Sequence, residues 1–306
     1  MIPLRDEGPI GDVRLSIVIP CRNGAATLRR QLDSIFEQQT TVGFEVVVAD
    51  NGSTDSTVMV VKEYVSRGLP IRAVDASRAA GINVARNEGI RASVGDLVLL
   101  CDADDLTHAD WIESYWRAFQ RGAACVGGGI NRFIEGSGVV ARERRLYQVE
   151  NDLPPYAIGA NCGFRRDVFD RIGGFDELIF GGSDEIDFFW RASDQGYTLV
   201  CVPDAVITYF QRDDLSRVAK QHWRYGRGFV RLLRKHRHRN KEINVQFRIG
   251  QVKDALAALA CCFFRVRGME RRIYVERGAF AVGALAASFS YGKTGEMRTH
   301  AYAGGD

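Results

Sequence analysis

Apolar and polar positions follow one another in blocks along the first two thirds of the chain, and each apolar block ends on a polar turn. Short apolar runs occupy Arg14–Pro20 (R-L-S-I-V-I-P), Glu45–Ala49, Ile71–Val74 and Leu97–Cys101. The fourth is five consecutive apolar residues preceded by Gly95 and Asp96. Runs so short and continuous predict strands buried on both faces, the kind found in parallel sheets. Between them, Ala25–Gln38, Ser56–Arg67 and Ala79–Ser93 carry helical spacing; in the last, Ile82, Ala85, Gly89 and Ile90 recur on one face. The links are turn-forming: Cys21-Arg22-Asn23-Gly24 after the first strand and Asp50-Asn51-Gly52-Ser53-Thr54-Asp55-Ser56 after the second. Alternating strands and helices with short links imply right-handed crossovers, hence an α/β fold with a mostly parallel sheet and helices on both faces.

Further on the pattern loosens. A helix is predicted over Ala109–Arg121 and a glycine-rich strand over Ala123–Ile130. Asn131–Leu153 is charged and without period, which predicts a mobile loop. Tyr156–Phe164 reads as a strand returning toward the earlier strand ends, followed by a helix at Arg166–Ile172 and a turn at Gly173–Glu177. A second glycine pair, Gly181-Gly182, leads into Ser183-Asp184-Glu185-Ile186-Asp187, acids at a helix start where the macrodipole favours them. Asp187 and Arg191, four apart, read as a supporting ion pair. In the last third, Ala255–Phe264 and Gly278–Tyr291 are apolar over 10 and 14 residues, too short to span a bilayer.

Candidate chemistry sits where the strands end. In open α/β sheets ligands bind beyond the carboxyl ends of the strands, which is where Pro20, Asp50 and Asp102 emerge. Leu97–Cys101 stops on Asp102-Ala103-Asp104-Asp105. Carboxylates two apart on a turn can converge on a hard cation such as Mg²⁺ or Mn²⁺, with water and substrate phosphates completing its shell. The plainer alternative is that one of them caps the next helix, and three acids exceed what capping needs. Asp50 either accepts from a nucleobase N–H or ribose hydroxyl, or folds into an Asx-turn around Asn51-Gly52. Asp184-Glu185, after flexible glycines and before an aromatic run, suits a general base offered to a sugar-sized acceptor.

Composition narrows the classes. The 306 residues are 46% hydrophobic and 26% charged with a formal net charge of +3, an ordinary globular balance. Base is concentrated in Arg231–Lys241, yet a strongly basic domain with interleaved aromatics is missing, so no nucleic-acid partner is expected. Seven cysteines without C-x-x-C pairs read as reduced core residues. The N-terminal stretch M-I-P-L-R-D-E-G-P lacks a signal-peptide pattern, so a cytoplasmic location is expected, with peripheral attachment to the inner membrane face as the open addition.

S-I-V-I-P-C-R-N, A-D-N-G-S-T-D-S-T, A-R-N-E-G-I-R-A-S-V-G-D, D-A-D-D, G-G-F-D-E and S-D-E-I-D, in this order from about Leu15 to Tyr209, make the chain resemble family 2 glycosyltransferases. The resemblance implies a GT-A fold with a Rossmann-like nucleotide-binding sheet over residues 13–212. A tail at 1–12 and a C-terminal helical extension at 213–306 flank it. It also implies hexosyl transfer from a nucleotide-diphosphate sugar, UDP-linked first, to a sugar or lipid-linked acceptor. Inversion by direct displacement and a divalent metal, Mn²⁺ or Mg²⁺, belong to the same expectation. Matched position by position, Pro20, Arg22 and Asn23 surround the nucleotide, Asp50 meets the base, and Arg86 lies near the diphosphate. Asp102, Ala103 and Asp104 match the D-x-D motif, the first Asp reaching ribose or sugar and Asp104 the metal, with Asp105 supporting.

Three departures follow from the same match. The family's Glu-Asp base pair is reversed here to Asp184-Glu185, with Glu185 favoured as base and Asp184 the alternative. A metal-ligating His common among relatives is replaced within Val206-Ile207-Thr208-Tyr209-Phe210. Gln221-His222-Trp223-Arg224-Tyr225 resembles the Q-x-x-R-W of processive synthases, which would put Gln221 and Arg224 at acceptor and diphosphate; an ordinary amphipathic helix competes. The last apolar segments either pack on the catalytic domain or lie on an anionic membrane. Two other functions stand beside transfer. A sugar nucleotidyltransferase would want a lysine-bearing glycine loop near the first strand, and Cys21–Thr27 has no lysine. A non-catalytic assembly subunit would not need the acids at 102, 104, 184 and 185.

Overall fold

The computed structural model describes residues 13–149, 152–237, 250, 252–257 and 268–292. The apolar runs form β1 (Leu15–Cys21), β2 (Phe44–Asp50), β3 (Ile71–Asp75) and β4 (Leu97–Cys101), joined through α1 (Leu28–Phe36), α2 (Thr57–Ser66) and α3 (Ile82–Ala92). Leu15, Ile17 and Ile19 of β1 with Leu99 of β4 face one side, under α1, α2 and α4 (Trp111–Gln120). Val18, Val98 and Leu100 face the other, under α3, α5 (Arg166–Ile172) and the later turns of α6 (Asp184–Asp194). Burial on both faces is why these strands read as unbroken apolar runs. Helix α3 lies close on the sheet because Gly89 has no side chain: a Cβ there would stand 2.5 Å from Val18 Cγ1.

The remaining strands are β5 (Leu106–Thr107), β6 (Cys125–Ile134), β7 (Gly138–Glu143), β8 (Asn161–Arg165) and β9 (Leu199–Phe210). They complete a nine-stranded sheet in the order β3-β2-β1-β4-β8-β6-β9-β5, with β7 paired to β6. The expected parallel arrangement holds for β3-β2-β1-β4. It ends at β8, which runs antiparallel to both β4 and β6, so the sheet as a whole is mixed. The register shows this directly: Asn161, the first residue of β8, pairs with Cys101, the last of β4, so β8 begins at the edge where the parallel strands end.

The pairing of β7 with β6 corrects the loop expected over Asn131–Leu153. Strand β6 continues to Ile134, and β7 follows through a turn with Gly136 at φ +76° and Gly138 at φ +75°. The segment lacks an apolar period because every residue of β7 is half-buried or exposed; it pairs with β6 in the sheet, and Arg132 Nε adds a cross-strand ion pair to Glu143 Oε1 at 2.6 Å. Of the strand expected over Tyr156–Phe164, ladder pairing covers only Asn161 onward, with a single bridge from Tyr147 to Tyr156 before it.

By compactness the chain divides into two units. One comprises residues up to Phe133, Ser137–Phe175 and Phe188–Phe210, and so holds nearly all of the sheet; the other comprises Ile134–Gly136, Asp176–Asp187 and residues from Gln211 on. In the second unit α7 (Leu215–Lys235) crosses α8 (Gly268–Gly292) at glycines on both sides. A Cβ on Gly226 would meet Phe280 O at 2.0 Å, and one on Gly283 would meet Trp223 O at 2.1 Å. Helix α8 starts well before the apolar stretch at Gly278; its basic first turns are accommodated by Arg272, paired with Glu276 at 2.8 Å and donating to Arg212 O at 2.6 Å. Of the Ala255–Phe264 segment only 255–257, helical, are described, and the basic run is described only as far as Arg237. No helix among the described residues is long and apolar enough to cross a membrane.

Candidate active site

The ends of β1 and β2 are zipped together by their turns. Asn23, in the left-handed region at φ 53°, donates its backbone N–H to Ser53 Oγ at 2.8 Å and accepts from Thr54 N–H at 2.8 Å. Gly24 N–H donates to Thr57 Oγ1 at 2.9 Å and Ala25 N–H to Asp55 Oδ2 at 3.0 Å. Asn tolerates this backbone better than other side-chain-bearing residues, which is what the R-N-G sequence encodes. Asp50 accepts from Ser53 N–H at 3.1 Å, the Asx-turn alternative, and stays half-buried with its other oxygen not used by that bond. Pro20 is half-buried and Arg22 exposed at the same edge, while burial pushes the Cys21 thiol up to about 12. Pro20, Asn23 and Asp50 are thereby brought onto one platform.

At the end of β4, oxygens of Asp102, Asp104 and Asp105 all lie within 4.8 Å of one another. Asp104 is exposed, Asp102 half-buried, and Ala103 and Asp105 buried. Asp105 Oδ1 accepts Phe210 N–H at 3.3 Å, while its Oδ2 is buried with no hydrogen-bond partner. Burial, then the charges of Asp102 and Asp104, push the Asp105 carboxyl well above the usual range. Three clustered hard oxygen donors, one carboxylate with a buried oxygen lacking a hydrogen bond, fit a divalent cation, because bound positive charge relieves both the repulsion and the desolvation. Asp105 is therefore a candidate ligand and not only a support. Arg30, which sequence reading did not single out, donates to Asp104 O at 2.6 Å and stacks 3.7 Å over the Phe210 ring, pinning the acid turn between α1 and β9. His108, three residues on, bonds Thr208 Oγ1 at 2.9 Å and lies outside the acid cluster.

Arg86 is buried on α3, with its guanidinium carbon 5.3 Å from the centre of the Phe175 ring. The chain passes it at Gly159, where a Cβ would come 2.4 Å from Arg86 Nη2. Arg191 donates to the carbonyls of Ile172 and Gly174, each at 2.7 Å, so it holds the G-G-F turn.

The remaining residues singled out from the sequence belong to the second unit. Asp184 opens α6 and is 4% exposed, Glu185 is half-buried, and Asp187 is fully buried. Asp187 Oδ1 takes Lys235 Nζ and His236 Nε2, both at 2.8 Å. Gln221 donates to the Tyr225 hydroxyl at 2.7 Å, and Arg224 lies against the glycine pair, where a Cβ on Gly181 would approach Arg224 O to 2.8 Å. The Q-x-x-R segment is thus one turn of α7 packed on the loop that carries the acids.

A mixed sheet with its β1 and β2 end turns zipped together and an acid cluster at the β4 end is a GT-A-type arrangement. Residues 16–173 match the profile of Glycosyl transferase family 2. Glycosyltransferase AglE of Haloferax volcanii is 25% identical over 225 residues, covering 71% of this chain and 73% of its own. The Pre-mycofactocin glycosyltransferase of Mycobacterium tuberculosis is 30% identical over 213 residues, 66% of this chain but 43% of that protein, so the chain spans less than half of that relative's length. Among solved structures, mannosyltransferase PcManGT from Pyrobaculum calidifontis, in complex with GDP-Man and Mn²⁺, superposes with a TM-score of 0.65 at 19% identity, covering 90% of this chain and 87% of that one. S. aureus TarS 1-349 in complex with UDP-GlcNAc gives 0.56 at 14% identity, with 91% and 92% covered. The chain belongs to Glycosyl transferase family 2, and it is a glycosyltransferase.

Proposed function

We propose that this glycosyltransferase moves a sugar from a nucleotide-diphosphate donor, UDP-linked first, to an acceptor hydroxyl with inversion and in a metal-dependent way, in the synthesis of a polysaccharide, glycolipid or other cell-envelope glycoconjugate. The observation that carries it is the clustering of Asp102, Asp104 and Asp105 oxygens within 4.8 Å of one another, in a corner where Asp105 Oδ2 is buried without a hydrogen-bond partner. Solved neighbours of the same fold hold GDP-Man with Mn²⁺ or UDP-GlcNAc, which supports a nucleotide-sugar donor.

Asp104 and Asp105 would hold the cation, with Asp102 turned to ribose or sugar. A divalent cation there supplies Lewis-acid charge against the negative charge that builds on the leaving diphosphate. Asp50 accepts from the base, Pro20, Arg22 and Asn23 line the nucleotide, and Arg86 adds positive charge toward the diphosphate. Glu185 takes the acceptor's proton as the new C–O bond forms and the sugar–phosphate bond breaks. Its partial exposure favours it over the buried Asp184. Gln221 and Arg224 are proposed on the acceptor side.

A thermal-shift screen of nucleotides and nucleotide sugars with Mn²⁺ tests this reading. UDP or a UDP-sugar at about a hundred times its Kd should raise Tm by on the order of 5 °C, and Asp50→Ala should abolish most of that shift while lowering the unliganded Tm by only a few degrees, for the lost Ser53 hydrogen bond. A shift from nucleoside triphosphates alone would favour a nucleotidyltransferase, and none from any nucleotide would leave only an assembly role.

Peripheral attachment is the second part of the proposal, motivated by exposed Trp223, with Arg227 4.7 Å from its ring centre, and exposed Lys220 on the same face of α7. Flotation of the full chain with liposomes rich in anionic lipid should recover it in the lipid layer at low salt. Recovery only in the soluble layer would leave the C-terminal helices with a packing role.

A further inference from the structure

Segment Asp176–Asp187 delivers the acids, and its backbone is unusual. Gly181, Gly182 and Ser183 stand in succession at φ +86°, +96° and +71°, and the third carries a side chain. Such a run has little preference of its own for one path, so something outside it has to hold it.

Helix α7 does so at five points. Lys235 Nζ reaches Asp176 Oδ2 at 2.6 Å and Asp187 Oδ1 at 2.8 Å, closing both ends of the segment with one ammonium. His236 Nε2 meets the same Asp187 oxygen at 2.8 Å. Arg231 donates to Phe180 O at 3.0 Å and stacks 3.6 Å over its ring. Gly228 lets the helix backbone touch the loop, since a Cβ there would lie 2.4 Å from Gly182 O. The Tyr225 ring covers Gly182, where a Cβ would lie 2.5 Å away.

Asp187 is 0% exposed and His236 3% exposed, so their contact is sheltered from water and salt and geometrically definite. On an α-helix Asp184 and Asp187, three apart, share a face, whereas Glu185 is turned about 200° from Asp187. Phe188, Phe189 and Ala192 hold the later turns of α6 in the core, and the tether on Asp187 holds its first turn, so that Glu185 is kept on the side of the helix away from Asp187.

We infer that Lys235 and His236 are positioning residues for transfer: through Asp187 they hold the first turn of α6 and aim the carboxylate of Glu185. Neither touches substrate. This role rests on Glu185 being the base proposed above. A catalytic group displaced by about 1 Å loses on the order of a hundredfold in rate, so partial loosening of the tether lies inside that range.

The test uses the full chain and steady-state kinetics with a nucleotide-sugar donor, beside donor Kd by calorimetry. Lys235→Met and His236→Ala should each lower kcat by roughly tenfold to a hundredfold while donor KM and Kd stay within about twofold. Lys235→Arg and His236→Gln, which keep a donor toward Asp187, should recover most of the rate. In the double variant Glu185→Gln/His236→Ala the loss should be no larger than in Glu185→Gln alone, because both changes act through one carboxylate. Unchanged kcat in the single variants, or additive losses in the double variant, would overturn the positioning role. A fall in donor affinity, or no recovery in the conservative variants, would do the same by pointing to general unfolding. If Glu185→Gln itself keeps full rate, the base assignment fails, a result separable from the tether's failure because it needs no change at 235 or 236.

Discussion

Glu185→Gln should lower transfer by roughly two to four orders of magnitude, the usual worth of general-base catalysis, with donor affinity nearly unchanged. The amide keeps the size and hydrogen-bonding capacity of the side chain and removes only its ability to take a proton. Asp184→Asn is the matched control, and the structure gives the two acids different standing: Asp184 is almost fully buried at the helix start, Glu185 is reachable. Loss in Asp184→Asn with retention in Glu185→Gln would move the base to Asp184. Full activity in both would reduce the acid cluster to a helix terminus favoured by the macrodipole.

Asp104→Ala should abolish Mn²⁺-dependent nucleotide binding. Partners that merely orient metal ligands cost about 10- to 100-fold in affinity when removed, so losing a proposed ligand should cost at least the upper end of that range. The variant is clean because Arg30 is held by the Asp104 carbonyl, not its carboxylate, so the turn keeps its tie to α1. Calorimetry of UDP with Mn²⁺ decides it. Equal affinity in parent and variant would remove Asp104 from the metal site, and loss in Asp105→Asn alone would transfer the ligand role to the buried neighbour.

The part of the sheet that could be read from the sequence is the part whose strands are buried on both faces. Leu97–Cys101 and its neighbours announce themselves because burial on both faces demands apolar residues at every position. The acid turn was legible for the complementary reason, three carboxylates in sequence directly after such a strand. The β6–β7 hairpin was not, since a half-buried to exposed strand carrying pairs such as Arg132 with Glu143 leaves no apolar period. Nor could the tether be read. Helical spacing points from Asp187 only to neighbours on its own helix, such as Arg191, and says nothing of Lys235 and His236, which reach it from nearly fifty positions on. Arg30 over Phe210 was hidden in the same way, being a contact between elements whose adjacency only the strand order reveals.

The place of β9 in the sheet also governs how the chain comes together during synthesis. Once Cys101 has emerged, every strand of β3-β2-β1-β4 exists, each linked to the last by a local helical crossover, and the turns after β1 and β2 can already zip. The rest has to wait for distant partners: β8 is the outer neighbour of β4, and β6 meets its parallel partner only when Leu199–Phe210 has been made. Non-local pairing of this kind is slow, and until β8 arrives the five apolar residues of β4 form an open edge, the feature most prone to pairing with other chains. The backbone donor to Asp105 is Phe210 N–H, the final residue of that last strand. A chain interrupted before it would own its zipped β1 and β2 turns but an unfinished acid corner, so the order of synthesis delays the charged centre until the hydrophobic edge has been covered.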